Sequence, residues 1–348
     1  MACYHPVPAW IPDRSQLLTP MSPEQFNSVV PASQGSLNAR RLYFMRCGFH
    51  PARPIFKKPK NLAGFREIGL PCGRCIGCRI ARCKDWSSRC WHESQQYERN
   101  LFLTLTYAPE HLPVNSAGRP IVKVSDFQAF MKRFRQHLAR SGQESCRFFH
   151  CGEFGSLRGR PHYHALIFNS GVFPDLKFYK FSKSGEPLYI SKTITELWGK
   201  GRVIIGSVTY KSAGYVARYC LKKEYGNKDH RGPGLSEYTT MSRRPGIGFT
   251  WFNRYKDQLL SIGFLNVPGK DGQYVKVPIP KYYLNILRNH LNFAREYDRF
   301  IYRRMRRASA NQSEYSPERL AVKEQILLDR LRKLNRSYEN ESQDVLNI

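Results

Sequence analysis

One nine-residue stretch constrains this chain more than any other: Arg160-Pro161-His162-Tyr163-His164-Ala165-Leu166-Ile167-Phe168. An arginine-proline turn runs into an unbroken apolar tail, which reads as a strand inside a sheet. Side chains alternate faces along a strand, so His162 and His164 share one face while Tyr163 points to the other. Two imidazoles fixed side by side on a rigid strand form half of a divalent-metal site. The bland reading of such a pair is two polar residues on an exposed strand face. The turn before it and the apolar run after it favour the metal.

The stretch sits in a run of alternating elements. Leu101 to Tyr107 is alternating, β-branched and aromatic, and reads as a central strand. Ser125-Asp126-Phe127-Gln128 has the pattern of a capping box. Phe127, Phe130, Met131, Phe134 and Leu138 follow at the spacing of an amphipathic helix. Residues 146–154 read as a second strand, 155–161 as a basic glycine-rich turn and 162–168 as a third strand. Residues 169–190 read as an inserted loop. A short helix over 193–198, a fourth strand over 202–208 and a helix over about 211–224 complete the run. That order predicts an α+β fold, an antiparallel sheet with helices on one face.

The turn at 155–161 would bring Glu153, at the end of the neighbouring strand, alongside the two imidazoles. It is the candidate third ligand, and its alternative is a solvated turn acid. A mixed histidine and carboxylate set suits Mg²⁺ or Mn²⁺ acting as a Lewis acid on a phosphate.

The later helix carries Tyr215-Val216-Ala217-Arg218-Tyr219-Cys220-Leu221-Lys222. Tyr215 and Tyr219 are one turn apart on one face, and Lys222 follows near that face. Such a pair often means only amphipathic packing. Beside a metal, however, a phenolate is a competent nucleophile toward phosphorus and gives a covalent phosphotyrosine. The bond energy is then retained, and rejoining needs no ATP. Lys222 could neutralise phosphate charge or assist deprotonation; otherwise it is a solvated lysine.

Charge supplies the partner. The 348 residues hold 56 Lys plus Arg against 27 Asp plus Glu, a formal net charge of +29. That excess argues for a polyanion, most simply nucleic acid. Arg158 and Arg160, Arg243 and Arg244, and the run Tyr302-Arg303-Arg304-Met305-Arg306-Arg307 are the basic stretches. Aromatic residues are interleaved with them, which suits phosphate contacts and base stacking on single strands. No apolar run approaches the roughly 18 residues of a spanning helix, so no membrane is expected. Nor does the N-terminus read as a signal peptide.

Cysteine is the last signal. Cys72-Gly73-Arg74-Cys75-Ile76-Gly77-Cys78 has the close spacing of a zinc knuckle, with Cys3, Cys47 or Cys83 as the fourth ligand. The other reading is reduced, buried thiols. Residues 1–70 read as an irregular arm, a helix is expected from Ile80 to about Tyr97, residues 226–248 are turn-rich, and the chain from about Lys281 is helical and basic. A last helix begins at Ser316-Pro317.

Three segments together resemble the motifs of the HUH endonucleases, the rolling-circle replication initiators: Phe102-Leu103-Thr104-Leu105-Thr106-Tyr107, His162-Tyr163-His164, and Tyr215 to Lys222. The double tyrosine looks like the two-tyrosine branch that includes the initiators of microviruses. Pro71 to Cys78 and Ser242-Arg243-Arg244-Pro245-Gly246-Ile247-Gly248 look more narrowly like the gokushovirus type. One departure is Arg218, where lysine is as readily expected; the charge is kept. The core motifs cover roughly residues 100–225.

The resemblance implies an HUH-type sheet core with both histidines on a central strand. It implies binding of single-stranded origin DNA and of the circular double-stranded replicative form. It further implies nicking of the plus strand, a 5′-phosphotyrosine link, and a 3′-OH released for host polymerase, with a host helicase as a further partner. The setting is the host bacterial cytoplasm. Arg158, Arg160, Arg218, Arg243 and Arg244 are the expected DNA contacts. The expected organisation is a cysteine-containing region over 1–95, an endonuclease domain over 96–255 and a basic helical region over 256–348. A plasmid relaxase or transposase would use the same chemistry. The competing reading from another class is a non-enzymatic single-stranded DNA binding or packaging protein with a zinc knuckle, which has no need of tyrosines facing a metal.

Overall fold

A computed structural model of the chain describes residues 3–12, 56–58, 65–155, 159–182, 185–222, 237–269 and 272–343. The chain divides into two compact units. The larger unit comprises Arg79–Lys256, Phe264–Pro280 and Gln325–Ile348, and the smaller Met1–Cys78, Asp257–Gly263 and Lys281–Glu324.

The larger unit is built on a seven-stranded, wholly antiparallel sheet. Its strands are β3 (Asn100–Thr106), β4 (Arg147–Phe154), β5 (Pro161–Phe168), β6 (Lys177–Phe181), β7 (Pro187–Ile190), β8 (Val203–Ser207) and β9 (Tyr238–Met241), in spatial order β6-β7-β8-β3-β5-β4-β9. Strand β5 is buried along its whole length, as its apolar run requires.

The α+β class is as expected, but helices cover both faces of the sheet rather than one. Against one face lie α2 (Val124–Arg140) and α3 (Lys192–Trp198). Phe127, Phe130, Phe134, Ile194 and Trp198 there meet Leu103, Leu105, Tyr163 and Val203. Each such side chain taken out of water stabilises the fold by roughly 1.5–3 kcal/mol. Against the other face lie α1 (Ile76–Ser94) and α4 (Tyr210–Lys222), whose Cys90, Ala213 and Val216 meet Phe149, Cys151, Leu166 and Phe168. Both faces of the central strands are apolar, so both need a cover. Gly152, in the middle of β4, is required: a Cβ there would lie 2.7 Å from the ring of Tyr238 on the neighbouring edge strand.

Three local expectations give way to tertiary context. The capping box at Ser125 does not form: α2 begins at Val124, with Lys123 at its N-cap and no side-chain cap. Asp126 instead accepts a 2.7 Å hydrogen bond from the Tyr107 hydroxyl, and Tyr163 Oη accepts from the Lys123 N–H at 2.9 Å. A buried tyrosine pair thus fixes the helix start. Residues 169–190 are not all loop but contain the β6–β7 hairpin. Its register shift between Phe178 and Lys180 hides the alternation that would have announced it. Strand β9 is a four-residue edge within the turn-rich segment. Helix α1 starts four residues ahead of the expected Ile80.

The remaining elements are brief. The described part of the N-terminal arm is a ladder, β1 (Val7–Pro12) paired antiparallel with β2 (Phe65–Leu70). Prolines at positions 8 and 12 mask its strand character. Helix α5 (Phe249–Ile262) precedes the β10 (Leu265–Pro268) and β11 (Tyr274–Val277) hairpin. Helices α6 (Lys281–Asn289), α7 (Ala294–Ala310) and α8 (Pro317–Gln343) form the expected helical end of the chain. Ser316 caps α8 as its sequence suggests, accepting from the Arg319 N–H at 3.3 Å.

Candidate functional site

Sheet register builds the site. In β5, His162 and His164 face the α4 side, as their spacing predicts. Glu153 of β4 is the direct cross-strand partner of His162, and Thr104 of β3 that of His164. The turn after Phe154 therefore places a carboxylate and two imidazoles on one face. One ligand atom from each lies within 4.8 Å of the others, and all three residues are buried. Nε2 of His162 is 2.7 Å and Nε2 of His164 is 2.9 Å from the same carboxylate oxygen, Oε1 of Glu153.

The ring nitrogens on the far side decide what this cluster fits. Nδ1 of His162 lies 3.1 Å from the carbonyl oxygen of Arg160. A carbonyl only accepts, so Nδ1 carries the hydrogen, and the neutral ring aims its Nε2 lone pair at Glu153. Nδ1 of His164 has Thr104 Oγ1 as a partner at 3.1 Å, and donation to that hydroxyl leaves a lone pair on its Nε2 that can ligate in the same way. Two lone pairs converging on a carboxylate oxygen repel unless positive charge lies among them. A divalent cation supplies it, and histidine ligands held by a backbone carbonyl and a hydroxyl behind them are the usual support of such a centre. Burial works to raise the Glu153 carboxyl, but the two imidazoles outweigh it and bring its pKa down to about 2. The group is thus anionic whenever the protein is folded.

Tyr215, on the first turns of α4, reaches the cluster. Its hydroxyl is 3.4 Å from Nε2 of His164, and the two rings meet edge to face at 5.0 Å. Phe102 lies nearly parallel to His164 at 5.7 Å and edge-on to Tyr215 at 6.1 Å, so both are wedged by one apolar ring. The Arg218 guanidinium sits 5.0 Å over the Tyr215 ring. Tyr219 and Lys222 continue the same helix; their side chains lie outside the described residues.

The arginines expected at DNA are not equivalent. Arg160 is half-buried and donates from Nη2 to the carbonyl of Tyr107, which ties the β4–β5 turn to the end of β3. Arg243 and Arg244 are exposed on a turn. That turn is anchored from below by Arg147, which donates to Glu93 and to the Pro245 carbonyl, while Glu93 accepts the Gly248 N–H. Arg158 lies outside the described residues.

Sequence reasoning missed Thr104, Phe102 and the Glu93–Arg147 pair as supporting groups. Thr104 and Phe102 lie within a segment already singled out, and aligning that strand with the histidine strand would have found Thr104.

A second cluster joins Cys3, Cys72, Cys75 and Cys78, whose sulfurs also lie within 4.8 Å of one another. Of the three candidates for the fourth position it contains Cys3. Cys83 is elsewhere, buried, with its thiol donating to the Ala217 carbonyl at 3.0 Å. Cys47 lies outside the described residues.

Comparison with known proteins agrees with the motif placement. Residues 100–224 match the family of the replication-associated protein ORF2. Replication-associated protein VP4 of Bdellovibrio phage phiMH2K is 36% identical over 263 residues, covering 73% of this chain and 79% of that protein. Replication-associated protein ORF2 of Spiroplasma virus 4 is 35% identical over 216 residues, 62% of this chain and 66% of that protein. Replication-associated protein ORF4 of Chlamydia phage 1 is 28% identical over 269 residues, 74% and 64% of the two chains. No solved structure matches.

Proposed function

We propose that this chain, which belongs to the family of phage replication-associated proteins, starts rolling-circle replication by nicking the plus strand of a circular phage genome and later rejoins it. The observation that carries this reading is the Tyr215 hydroxyl 3.4 Å from a histidine whose lone pair converges with that of His162 on Glu153. Nothing in a passive DNA-binding protein requires that arrangement.

Glu153, His162 and His164 would hold Mg²⁺ or Mn²⁺, which supplies Lewis acidity to a non-bridging oxygen of the scissile phosphate. Tyr215 attacks phosphorus, a P–O bond forms to the phenol oxygen, and the bond to the deoxyribose 3′ oxygen breaks. The phenol proton leaves the nucleophile and the 3′ oxygen departs as a hydroxyl, so charge and atoms balance. The product is a 5′-phosphotyrosine and a free 3′-OH for host polymerase, with a host helicase opening the duplex. Rejoining reverses the step when a 3′-OH attacks the phosphotyrosine. Arg218 keeps positive charge beside the nucleophile, where a phosphate must dock. Tyr219, one turn along α4, would serve the second transfer while Tyr215 is still esterified, with Lys222 near it. Arg243 and Arg244 would hold the DNA backbone, and Arg158 with them. These steps belong in the cytoplasm of the bacterial host, on single-stranded origin DNA or the double-stranded replicative form.

The test uses purified protein, Mn²⁺ and labelled single-stranded fragments tiled across the genome, resolved on a denaturing gel. A label shifted to protein mass, lost only when Tyr215 and Tyr219 are both phenylalanine, is the expected result. Tight binding with no covalent band on any fragment would replace this reading with a single-strand binding or packaging role.

A further inference from the structure

The cysteine cluster has no part in the phosphoryl chemistry, and its geometry is that of a metal clasp. The Cys3 and Cys75 sulfurs are 3.8 Å apart. A disulfide would need about 2.05 Å. Four sulfurs placed tetrahedrally at the usual zinc–sulfur distance of about 2.3 Å stand about 3.8 Å from one another.

The backbone around the sulfurs is also arranged for anions. The Cys72 N–H points at Cys3 Sγ at 3.2 Å. The N–H groups of Arg74 and Cys75 point at Cys72 Sγ at 3.4 and 3.3 Å. Those of Tyr4 and Cys78 point at Cys75 Sγ at 3.4 and 3.5 Å. A sulfur collecting two backbone donors is acting as an acceptor, the role of a thiolate. Gly73 makes the tight loop between two of these cysteines with φ of 77°, a conformation costly for any residue with a side chain.

We propose that Cys3, Cys72, Cys75 and Cys78 bind one structural Zn²⁺ as four thiolates. The site is closed: four protein ligands complete the tetrahedron, so the ion has no open position for substrate or water. Binding releases the thiol protons and pins the start of the chain to the 72–78 loop. The same segment continues into the β1–β2 ladder, a two-stranded ribbon of the kind that is marginal without a staple. His5, two residues from the first ligand, meets Glu324 of α8 at 2.7 Å, so the clasp also sets a contact within the smaller unit. This inference is independent of the nicking reading.

The full chain is purified without chelator and its zinc measured by mass spectrometry of the metal. Native protein is then alkylated with and without a strong chelator, and the modified cysteines are mapped. One zinc per chain is expected. Cys3, Cys72, Cys75 and Cys78 should resist alkylation until the chelator is added, although none of them is fully buried. Cys3→Ser should lower retained zinc at least tenfold, whereas Cys83→Ser and the His162→Ala/His164→Ala pair should keep it. Zinc that disappears with the histidines instead would assign the ion to the other cluster and overturn the proposal. So would iron in its place, two disulfides, or four thiols that react alike with and without chelator. The alkylation map on the unmodified chain decides the matter even if Cys3→Ser fails to fold.

Discussion

The Tyr215 hydroxyl and Nε2 of His164 are 3.4 Å apart, across the interface between a helix and the central strand of the sheet. That spacing puts a nucleophile at the edge of a metal-competent cluster rather than in the adjoining packed core. Tyr215→Phe keeps the ring against Phe102 and removes only the oxygen. We predict that it lowers first-turnover nicking at least tenfold while leaving residual covalent adduct through Tyr219. Tyr215→Phe combined with Tyr219→Phe should abolish the adduct. Quantifying the covalent band on a denaturing gel, with melting temperature as a control on folding, checks both.

Thr104 predicts a graded effect behind the ligands. Its hydroxyl orients His164 from the opposite ring nitrogen at 3.1 Å. Removing such a support usually weakens metal binding by about 10–100-fold. Thr104→Val should therefore raise the Mn²⁺ concentration needed for half-maximal nicking by that factor and recover activity in excess Mn²⁺. Glu153→Ala, which deletes a ligand, should lose at least about 100-fold and not recover, while salt-sensitive DNA binding stays within about threefold. A metal titration of nicking beside a filter-binding series tests the contrast. Equal loss of binding and cleavage would sink it.

The contrast between Glu153 and Thr104 also shows what a sequence can carry. Glu153 was reachable because a seven-residue turn between two strands leaves little freedom in which residues face each other. Thr104 pairs with His164 across 60 positions, and nothing local sets that register. Glu93, Arg147 and the Ser242–Gly248 turn meet over still longer separations. Periodicity found α2 and every one of its buried apolar residues, since 3.6-residue spacing is a local property. The same local logic misplaced its cap, because Tyr107 and Tyr163 supply the polar partners from elsewhere. Edge strands β6, β7 and β9 escaped for a related reason: short, partly exposed and, in β6, bulged, they have no hydrophobic alternation to display.

Arg243 and Arg244 are exposed where Arg160 is tied to the Tyr107 carbonyl, so their removal should act on DNA alone. Each lysine or arginine lost from a phosphate contact lowers the slope of log affinity against log salt by about 1. Arg243→Ala and Arg244→Ala should each show that change on origin and non-origin single strands alike, with melting temperature unaltered. Arg160→Ala should instead lower the melting temperature. An unchanged salt slope in both surface variants would remove that turn from the DNA-binding surface.

Acid should destabilise the fold well before any carboxylate titrates. His150 lies on the α2 face of β4, stacked on Phe127 at 3.4 Å and hydrogen-bonded to Thr240, and burial pushes its pKa down to about 3. His92 stacks on Trp251 at 3.5 Å and is pushed down to about 3 by burial as well. In the unfolded chain both titrate near 6.5. Below that pH the unfolded state takes up protons that the folded state refuses, so stability falls as pH falls. The slope is about 1.4 kcal/mol per pH unit for each histidine. It continues down to the folded-state pKa and vanishes above the unfolded one. Urea midpoints should therefore be flat from about pH 8 to 7 and drop steadily from about pH 6 to 5, with the drop shallower in His150→Phe than in the parent chain. Glu153 cannot produce this loss, because its carboxyl is held near 2 and stays ionised throughout the window.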